Sequence, residues 1–151
     1  LLHALPELTA AVVDVSAAAL KVARENADHF GLTDRVMFYE GDLLAPLRGQ
    51  TFDAVLSNPP YIPREDIAAL PPEVQAEPRL ALDGGADGLD FYRRLVREAA
   101  AFLCPDGFLA VEAGRGEAVV ISELARTNGW LEVEITKDLA GIDRVVTMRR
   151  G

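Results

Sequence analysis

The chain has 151 residues, 50% of them hydrophobic and 26% charged, and its formal net charge is −9 at pH 7. This balance is that of a folded globular domain and excludes a disordered chain. The acidic excess argues against tight non-specific binding to nucleic acid, because phosphates are neutralised by clustered lysine and arginine side chains. No apolar run approaches the roughly 18 residues of a membrane span. Cys104 is the only cysteine, so we expect no disulfide framework and a cytoplasmic protein.

Apolar runs of strand length alternate with stretches of helical periodicity along the chain. The predicted strands are residues 10–15, 35–40, 52–57, 108–112, 131–137 and 144–148, and the predicted helical segments are residues 1–5, 17–29, 89–103 and 117–128. Ser16 is a favoured N-cap for the second helical segment, and Gly31 favours its end. The short turn at residues 140–143 makes the last two strands antiparallel. The order predicts an open α/β sheet with helices on both faces.

Polar side chains follow three of the predicted strands, at Asp14, Asp42 and Asn58. In open α/β sheets, ligands lie outside the carboxyl ends of the strands. An acid in the position of Asp14 can accept hydrogen bonds from both hydroxyls of a ribose. Asp42 can accept from the exocyclic amine of adenine while Leu43 packs on the ring. Either acid alone is equally typical of a solvated turn, so the prediction of one cofactor site depends on their joint occurrence.

The strand at residues 52–57 ends in Ser57-Asn58-Pro59-Pro60-Tyr61. Two consecutive prolines fix φ and remove two N–H donors, so the strand stops and its carbonyls are left free to accept. The Asn58 side chain offers one acceptor and two donors, and Tyr61 supplies a flat wall. These residues predict a clamp for a planar –NH2 group. A rigid turn without a binding role is the simpler interpretation of the same pattern.

Residues 62–88 contain several prolines and glycines and show little periodicity. A loop of this length in a compact domain is usually functional, and we predict a lid over the clamp. Glu77 and Arg79 are the residues expected to order this lid or to meet a protein substrate. A local surface ion pair is an equally good interpretation of these two residues.

Seven segments spread along nearly the whole chain carry a family resemblance. They are Asp14-Val15-Ser16, Asn26-Ala27, Gly41-Asp42-Leu43-Leu44, Ser57-Asn58-Pro59-Pro60-Tyr61-Ile62-Pro63, Glu77-Pro78-Arg79-Leu80-Ala81-Leu82, Gly85-Ala86-Asp87-Gly88-Leu89 and Lys137-Asp138-Leu139-Ala140-Gly141. Together they resemble the HemK or PrmC family of protein-(glutamine) methyltransferases, which modify peptide-chain release factors. The resemblance implies a Rossmann-like class I S-adenosylmethionine-dependent methyltransferase sheet with a C-terminal antiparallel hairpin.

The resemblance also implies the reaction and the residues that carry it. The sulfonium methyl of S-adenosylmethionine is transferred to the side-chain nitrogen of a glutamine, which the clamp orients without a general base. The catalytic residues implied are Asn58, Pro59 and Tyr61; the substrate-binding residues are Asn58, Pro59, Pro60, Tyr61, Glu77 and Arg79; and the cofactor-binding residues are Asp14, Val15, Asp42, Leu43 and Asn58. The implied partner is a release factor, and neither a nucleic acid nor a membrane is expected to be the direct partner.

Two family features are absent from this sequence. Members carry a Gly-rich loop after the first strand and a helical N-terminal domain. In the family's strand order, the absent first strand lies between the strands at residues 10–15 and 52–57, which would leave two unpaired edges. We therefore expect residues 1–151 to be one partial methyltransferase domain that lacks its N-terminal strand and binds cofactor weakly.

Two other functions are compatible with the sequence. A DNA or RNA base methyltransferase would use the same clamp on a flipped base, but it needs a basic surface that this acidic chain does not show. A non-catalytic scaffold or a component of a swapped dimer is the alternative of another class. The sequence leaves the oligomeric state open.

Overall fold

The fold of residues 1–150 is described by a computed structural model. The chain forms two compact units, the first ending at Gln50 and the second beginning at Thr51. The described strands form two sheets, one of two strands in the first unit and one of four strands in the second. No helix within residues 1–150 has the length and hydropathy needed to cross a membrane.

The first unit is a parallel βαβ arrangement. Strand β1 (Ala10–Asp14) is followed by helix α1 (Ala17–His29) and strand β2 (Val36–Glu40), which pairs with β1 in parallel. The Ser16 side chain accepts from the Ala19 N–H at 3.2 Å, which confirms the predicted N-cap. Residues 1–5 form a single hydrogen-bonded turn instead of the end of a helix, because Pro6 has no N–H to continue the pattern.

The second unit contains a mixed sheet. Its strands are β3 (Phe52–Ser57), β4 (Leu103–Glu112), β5 (Glu132–Lys137) and β6 (Asp143–Arg149), in the spatial order β3-β4-β6-β5. Strand β3 is parallel to β4, whereas β6 is antiparallel to both of its neighbours. This arrangement confirms the predicted C-terminal hairpin. Strand β4 begins before the predicted residue 108, because residues 105–107 form a bulge within the strand, with Asp106 at a φ of 66°.

The described residues of the second unit contain four α-helices. They are α2 (Pro72–Gln75), α3 (Arg79–Leu82), α4 (Asp90–Glu98) and α5 (Ala118–Thr127), with a 3-10 turn at Ala99–Phe102 that ends the longer helix predicted for α4. Helix α4 buries Leu95, and it also buries Tyr92 completely. Tyr92 is tolerated there because its hydroxyl donates to the Glu112 carbonyl at 2.7 Å. Trp130 is likewise buried and donates from Nε1 to the Val96 carbonyl at 2.9 Å.

Residues 62–88 are more ordered than the loop that the sequence predicts. They contain a 3-10 turn at Asp66–Ala69 and the short helices α2 and α3. The two ends of the segment are joined, since the Ile62 N–H donates to Leu82 O at 3.0 Å and the Gly84 N–H donates to Ile62 O at 2.9 Å. Prolines set the short helices locally, which explains why no long-range periodicity marks them in the sequence.

Strands β1 and β3 are each paired on one side only within residues 1–150. Each therefore carries a row of backbone N–H and C=O groups without strand partners. These are the two strands that the sequence predicts to flank an absent strand. The absence of that strand, and of a Gly-rich loop after it, stays a prediction.

Candidate functional site

The carboxyl ends of β1 and β2 lie side by side in the first unit. Asp14 is opposite Glu40 in the parallel register, and the Gly41 N–H donates to the Asp14 carbonyl at 3.0 Å. The Asp14 side chain accepts through Oδ1 from the Ser16 N–H at 2.8 Å, while Oδ2 makes no hydrogen bond within residues 1–150. Val15 is 51% exposed beside it. This strand end can therefore accept further hydrogen bonds and offers an apolar surface.

The turn after β2 presents Asp42 and Leu43 in an unusual backbone conformation. Leu43 has a φ of 47°, a left-handed value that side chains other than glycine rarely adopt. Gly41 is required where it lies, because a Cβ there would overlap the ring of Pro46. Asp42 is exposed, and its carbonyl accepts from the Ala45 N–H at 3.1 Å. The turn thus holds a carboxylate and a partly exposed apolar side chain next to each other.

The Asn-Pro-Pro-Tyr segment follows β3 in the second unit. Pro59 is buried and anchors the segment, whereas Asn58 is exposed and its side chain makes no hydrogen bond within residues 1–150. Pro60 and Tyr61 are half-buried. The structure therefore presents an amide with its hydrogen-bonding groups available, on a backbone that its neighbours hold in place.

Three glycines, Gly84, Gly88 and Gly114, enclose Tyr61, and we call them the glycine cradle. A Cβ on Gly84 would lie 2.8 Å from Tyr61 Cα, and a Cβ on Gly114 would lie 2.8 Å from Tyr61 Cδ2. Gly88 has a φ of 80°, and a Cβ there would overlap the Tyr61 carbonyl oxygen. The position of Tyr61 consequently depends on the absence of side chains at three places.

Glu117 connects the glycine cradle to the start of α5. Its Oε2 accepts from the Gly114 N–H at 3.0 Å, and its Oε1 is 2.9 Å from the position of a Cβ on Gly88. Burial raises the pKa of the Glu117 carboxyl, with a further rise from Asp87, although the hydrogen bond from Gly114 acts against it. Burial also raises the pKa of the neighbouring Tyr92, which stays a neutral donor.

Sequence reasoning did not single out the glycine cradle or Glu117. The glycines at residues 84–88 fall in the predicted lid, and Glu117 is only the first residue of the helix predicted at residues 117–128. The available signal was the spacing of Gly114 and Glu117, since a Glu three residues after a turn at a helix start is typical of a capping interaction.

Arg79 and Glu77, the two predicted lid residues, do not form an ion pair with each other. Arg79 pairs with Asp83, with Nε 3.6 Å from Oδ2, and Arg64 pairs with the same carboxylate at 3.0 Å. The hydrogen bond from Arg64, and then the one from the Gly85 N–H, lowers the pKa of Asp83. Glu77 is exposed. Asp83 is therefore the residue on which the basic side chains of this segment converge.

The site residues predicted from sequence fall into two groups. Asp14, Val15, Asp42 and Leu43 lie in the first unit, and Asn58, Pro59, Pro60, Tyr61, Glu77 and Arg79 lie in the second. Within the second unit, the segment that carries Glu77 and Arg79 is hydrogen-bonded to Ile62, directly after Tyr61. Residues 1–150 contain no group of three or more His, Cys, Asp or Glu side chains that could hold a metal ion.

Comparison with known sequences matches this chain to methyltransferases. The family model "Methyltransferase small domain" matches residues 1–70. A release factor glutamine methyltransferase of Moorella thermoacetica is 49% identical over 145 residues, which are 95% of this chain and 51% of that protein. The enzyme of the same name from Gloeobacter violaceus is 50% identical over 147 residues, with the same coverage of both chains. This chain therefore spans about half the length of the curated relatives that it matches.

A relative with a different substrate in its name is similarly close. A ribosomal protein uL3 glutamine methyltransferase of Bradyrhizobium diazoefficiens is 50% identical over 115 residues, covering 76% of this chain and 36% of that protein. Both names specify a glutamine methyltransferase, but they name different protein substrates.

Solved structures confirm the predicted fold class. A methyltransferase from Pyrococcus furiosus superposes with a TM-score of 0.66 at 21% identity, over 95% of this chain and 63% of that chain. The hMettl16 catalytic domain, solved in complex with MAT2A 3′UTR hairpin 1, superposes with a TM-score of 0.66 at 16% identity, over 91% of this chain and 54% of that chain. At these identities, the likeness is one of fold alone.

Proposed function

We propose that this chain carries the part of an enzyme that transfers a methyl group from S-adenosylmethionine to the side-chain amide nitrogen of a protein glutamine. The chain belongs to the release factor glutamine methyltransferase family. The observation that carries the proposal is the 49% identity to a relative of that name over 95% of the chain. The exposed Asn58 amide beside buried Pro59 supports it, because this arrangement suits a planar amide.

The first unit fits the ribose and adenine of the cofactor. Asp14 has a carboxylate oxygen without a hydrogen bond, as an acceptor for ribose hydroxyls needs. Asp42 is assigned to the adenine amine, while the exposed Val15 and partly exposed Leu43 are assigned to apolar contact with the nucleoside. When bound, S-adenosylmethionine supplies an electrophilic methyl group on a sulfonium.

The Asn-Pro-Pro-Tyr segment is assigned to the glutamine. An amide nitrogen is a poor nucleophile, because its lone pair is delocalised into the carbonyl. We assign the Asn58 side-chain oxygen and the Pro59 carbonyl to the two amide protons, so that the nitrogen is oriented for in-line displacement and its developing positive charge is stabilised. In the transfer, the glutamine nitrogen would gain the methyl group that the cofactor sulfur gives up, and the amide would release one proton to solvent. Tyr61 packs against the amide plane and excludes water.

Glu77 and Arg79 are assigned to contact with the protein substrate. Both are exposed, and their segment is joined to Ile62 next to the clamp. A release factor is the proposed substrate, with ribosomal protein uL3 as the second candidate on the name of the Bradyrhizobium relative. The cytoplasm is the proposed compartment, in keeping with such partners and with the single cysteine.

The test is a methylation assay with the full-length protein and isotope-labelled cofactor. A release factor, ribosomal protein uL3 and duplex DNA are offered separately, and mass spectrometry locates the label. The expected result is one methyl group on a glutamine of a protein substrate. Label on a DNA base, or no label on any of the three, would contradict the proposal.

A further inference from the structure

A cleft of about 520 Å³ lies on the second unit, and none of its lining residues has been assigned a role so far. It is lined by Arg64, Leu80, Asp83, Gly85, Asp90, Phe91, Arg93, Arg94 and Arg97, and we call it the arginine cleft. Its walls come from the segment after the clamp and from α4. The volume is in the range of sites that take side chains or small ligands.

Four arginines and two aspartates line the arginine cleft, so its lining is more basic than the chain as a whole, which carries a net charge of −9. Three of these arginines pair with carboxylates: Arg64 with Asp83, Arg93 with Asp87 and Asp90, and Arg94 with Glu98. Arg97 is exposed and makes no ion pair within residues 1–150, so its guanidinium is open to an added acceptor. Guanidinium groups favour carboxylates, with which they form two parallel hydrogen bonds.

Fixed carboxylates in and around the arginine cleft favour a peptide over a nucleic acid. Asp83 and Asp90 line it, and both are paired with arginines, Asp83 with Arg64 at 3.0 Å and Asp90 with Arg93 at 3.2 Å. Asp87 lies against the same Arg93, whose guanidinium lowers the Asp87 pKa to about 2. A continuous row of phosphates would meet these negative charges, whereas spaced carboxylates on a peptide can avoid them.

Apolar side chains in the arginine cleft also suit a peptide. Leu80 is 76% exposed, and Phe91 is partly exposed on α4. An acidic segment that also carries apolar residues would bury these surfaces while one of its carboxylates meets the Arg97 guanidinium.

The arginine cleft and the clamp are joined through the backbone. The Arg64 N–H donates to Gly85 O at 2.8 Å, and Ile62 forms a parallel bridge with Asp83. We propose that the arginine cleft is a docking site for an acidic segment of the protein substrate, separate from the glutamine that is methylated. This inference rests on the proposed function.

The test compares two charge reversals in the full-length protein. Arg97→Glu changes the arginine cleft at a residue without an ion pair, and Arg126→Glu, on the exposed side of α5, makes the same change of net charge elsewhere. For Arg97→Glu, we expect KM for the protein substrate to rise about tenfold with kcat unchanged, and KM for a short glutamine peptide to stay the same. Arg126→Glu is expected to leave both values of KM unchanged.

Three outcomes would overturn the docking site. They are an unchanged KM for Arg97→Glu, an equal rise for Arg126→Glu, or an equal rise for the short peptide. Direct binding gives an independent readout: a fluorescent peptide in which glutamates alternate with leucines should bind the wild type more tightly than Arg97→Glu. Tighter binding of a single-stranded RNA than of this peptide would count against the inference. If no protein substrate is methylated, the proposed function fails, and the peptide measurement still decides whether the arginine cleft binds acidic peptides.

Discussion

The strand ends of the first unit and the clamp of the second achieve their conformations by different means. In the first unit, the candidate ligand-binding groups are carboxylates. One hydrogen bond from the Ser16 N–H orients the Asp14 carboxylate. Asp42 lies in a turn that packs Gly41 against Pro46. In the second unit, Tyr61 is positioned by the glycine cradle, where the decisive feature is that no Cβ is present. The first arrangement is therefore sensitive to loss of a charged group, and the second to the addition of a single methyl group.

Substitution of Asn58 tests the clamp with the largest expected effect. Asn58→Ala removes the side-chain acceptor proposed for the glutamine amide, and turnover should fall about 100–1000-fold, as for the loss of an aligned hydrogen-bonding group in other enzymes. Cofactor affinity and thermal stability should change little, because Asn58 is exposed and its side chain makes no hydrogen bond within residues 1–150. Steady-state methylation kinetics with a thermal melt measure both quantities.

The control for Asn58→Ala is Asn128→Ala, at the end of α5. The Asn128 side chain donates to Leu124 O at 2.8 Å, so its loss should lower stability and leave turnover intact. Unchanged turnover for Asn58→Ala would remove the residue from the mechanism.

A methyl group added to the glycine cradle tests its rigidity. Gly88→Ala places a Cβ against the Tyr61 carbonyl oxygen at a left-handed φ of 80°, and the free energy of unfolding should fall by about 2–4 kcal/mol. The matched control is Gly116→Ala, where φ is 86° but nothing lies within 4 Å of the new Cβ. Only the conformational cost of about 1–2 kcal/mol then applies. Urea denaturation that gives equal losses for the two variants would show that contact with Tyr61 is unimportant.

Removal of one charge from the first unit tests the side-chain arrangement. Asp14→Asn keeps an oxygen that can accept from the Ser16 N–H but loses the negative charge, so affinity for S-adenosylmethionine should fall about tenfold. Asp34→Asn, on an exposed 3-10 turn of the same unit, removes the same charge elsewhere. Calorimetry on the full-length protein measures both variants, and equal losses would assign the effect to net charge.

The raised pKa of Glu117 predicts a smaller, pH-dependent effect. At a pH above its raised pKa, Glu117 is ionised in both the folded and the unfolded protein. The folded protein is then destabilised, because it buries the charged carboxylate. As pH falls, the folded state takes up the proton first, and this destabilisation is relieved as pH approaches the ordinary value of 4.5. Glu117→Gln keeps an acceptor for the Gly114 N–H, so it should be more stable than the wild type at neutral pH, with a difference that shrinks toward pH 4.5.

The control for this pH dependence is Glu123→Gln, at an exposed position of α5. Its stability relative to the wild type should not follow the same pH course. Denaturant unfolding at several pH values separates the two variants, and parallel curves for both would contradict the role of burial at Glu117.

Sequence patterns predicted what depends on local chemistry. Helix α1 has the predicted bounds, because Ser16 supplies a cap and the apolar spacing is regular. Strand β3 also matches, because Asn58-Pro59-Pro60 ends it sharply. The clamp residues were visible for the same reason, since asparagine and proline have distinctive backbone effects.

Tertiary contacts explain what the sequence did not reveal. The burial of Tyr92 depends on the hydrogen bond from its hydroxyl to the carbonyl of Glu112, twenty residues away in β4. The apolar periodicity of α4 does not predict this contact. The bulge in β4 carries Pro105 and Asp106, residues that are typical of turns in isolation. Tyr61 packs against three glycines that are distant in sequence, Gly84, Gly88 and Gly114. A glycine in a sequence indicates backbone freedom, but it does not reveal which residue packs against it.

The burial of Trp130 has an optical consequence. It is the only tryptophan of the chain, it lies in the core of the second unit, and residues 1–50 contain none. Because its indole N–H is bonded to the Val96 carbonyl away from water, emission should shift to longer wavelength when that core opens. Tryptophan fluorescence therefore reports the unfolding of the second unit selectively, and circular dichroism at helix wavelengths adds the contribution of α1.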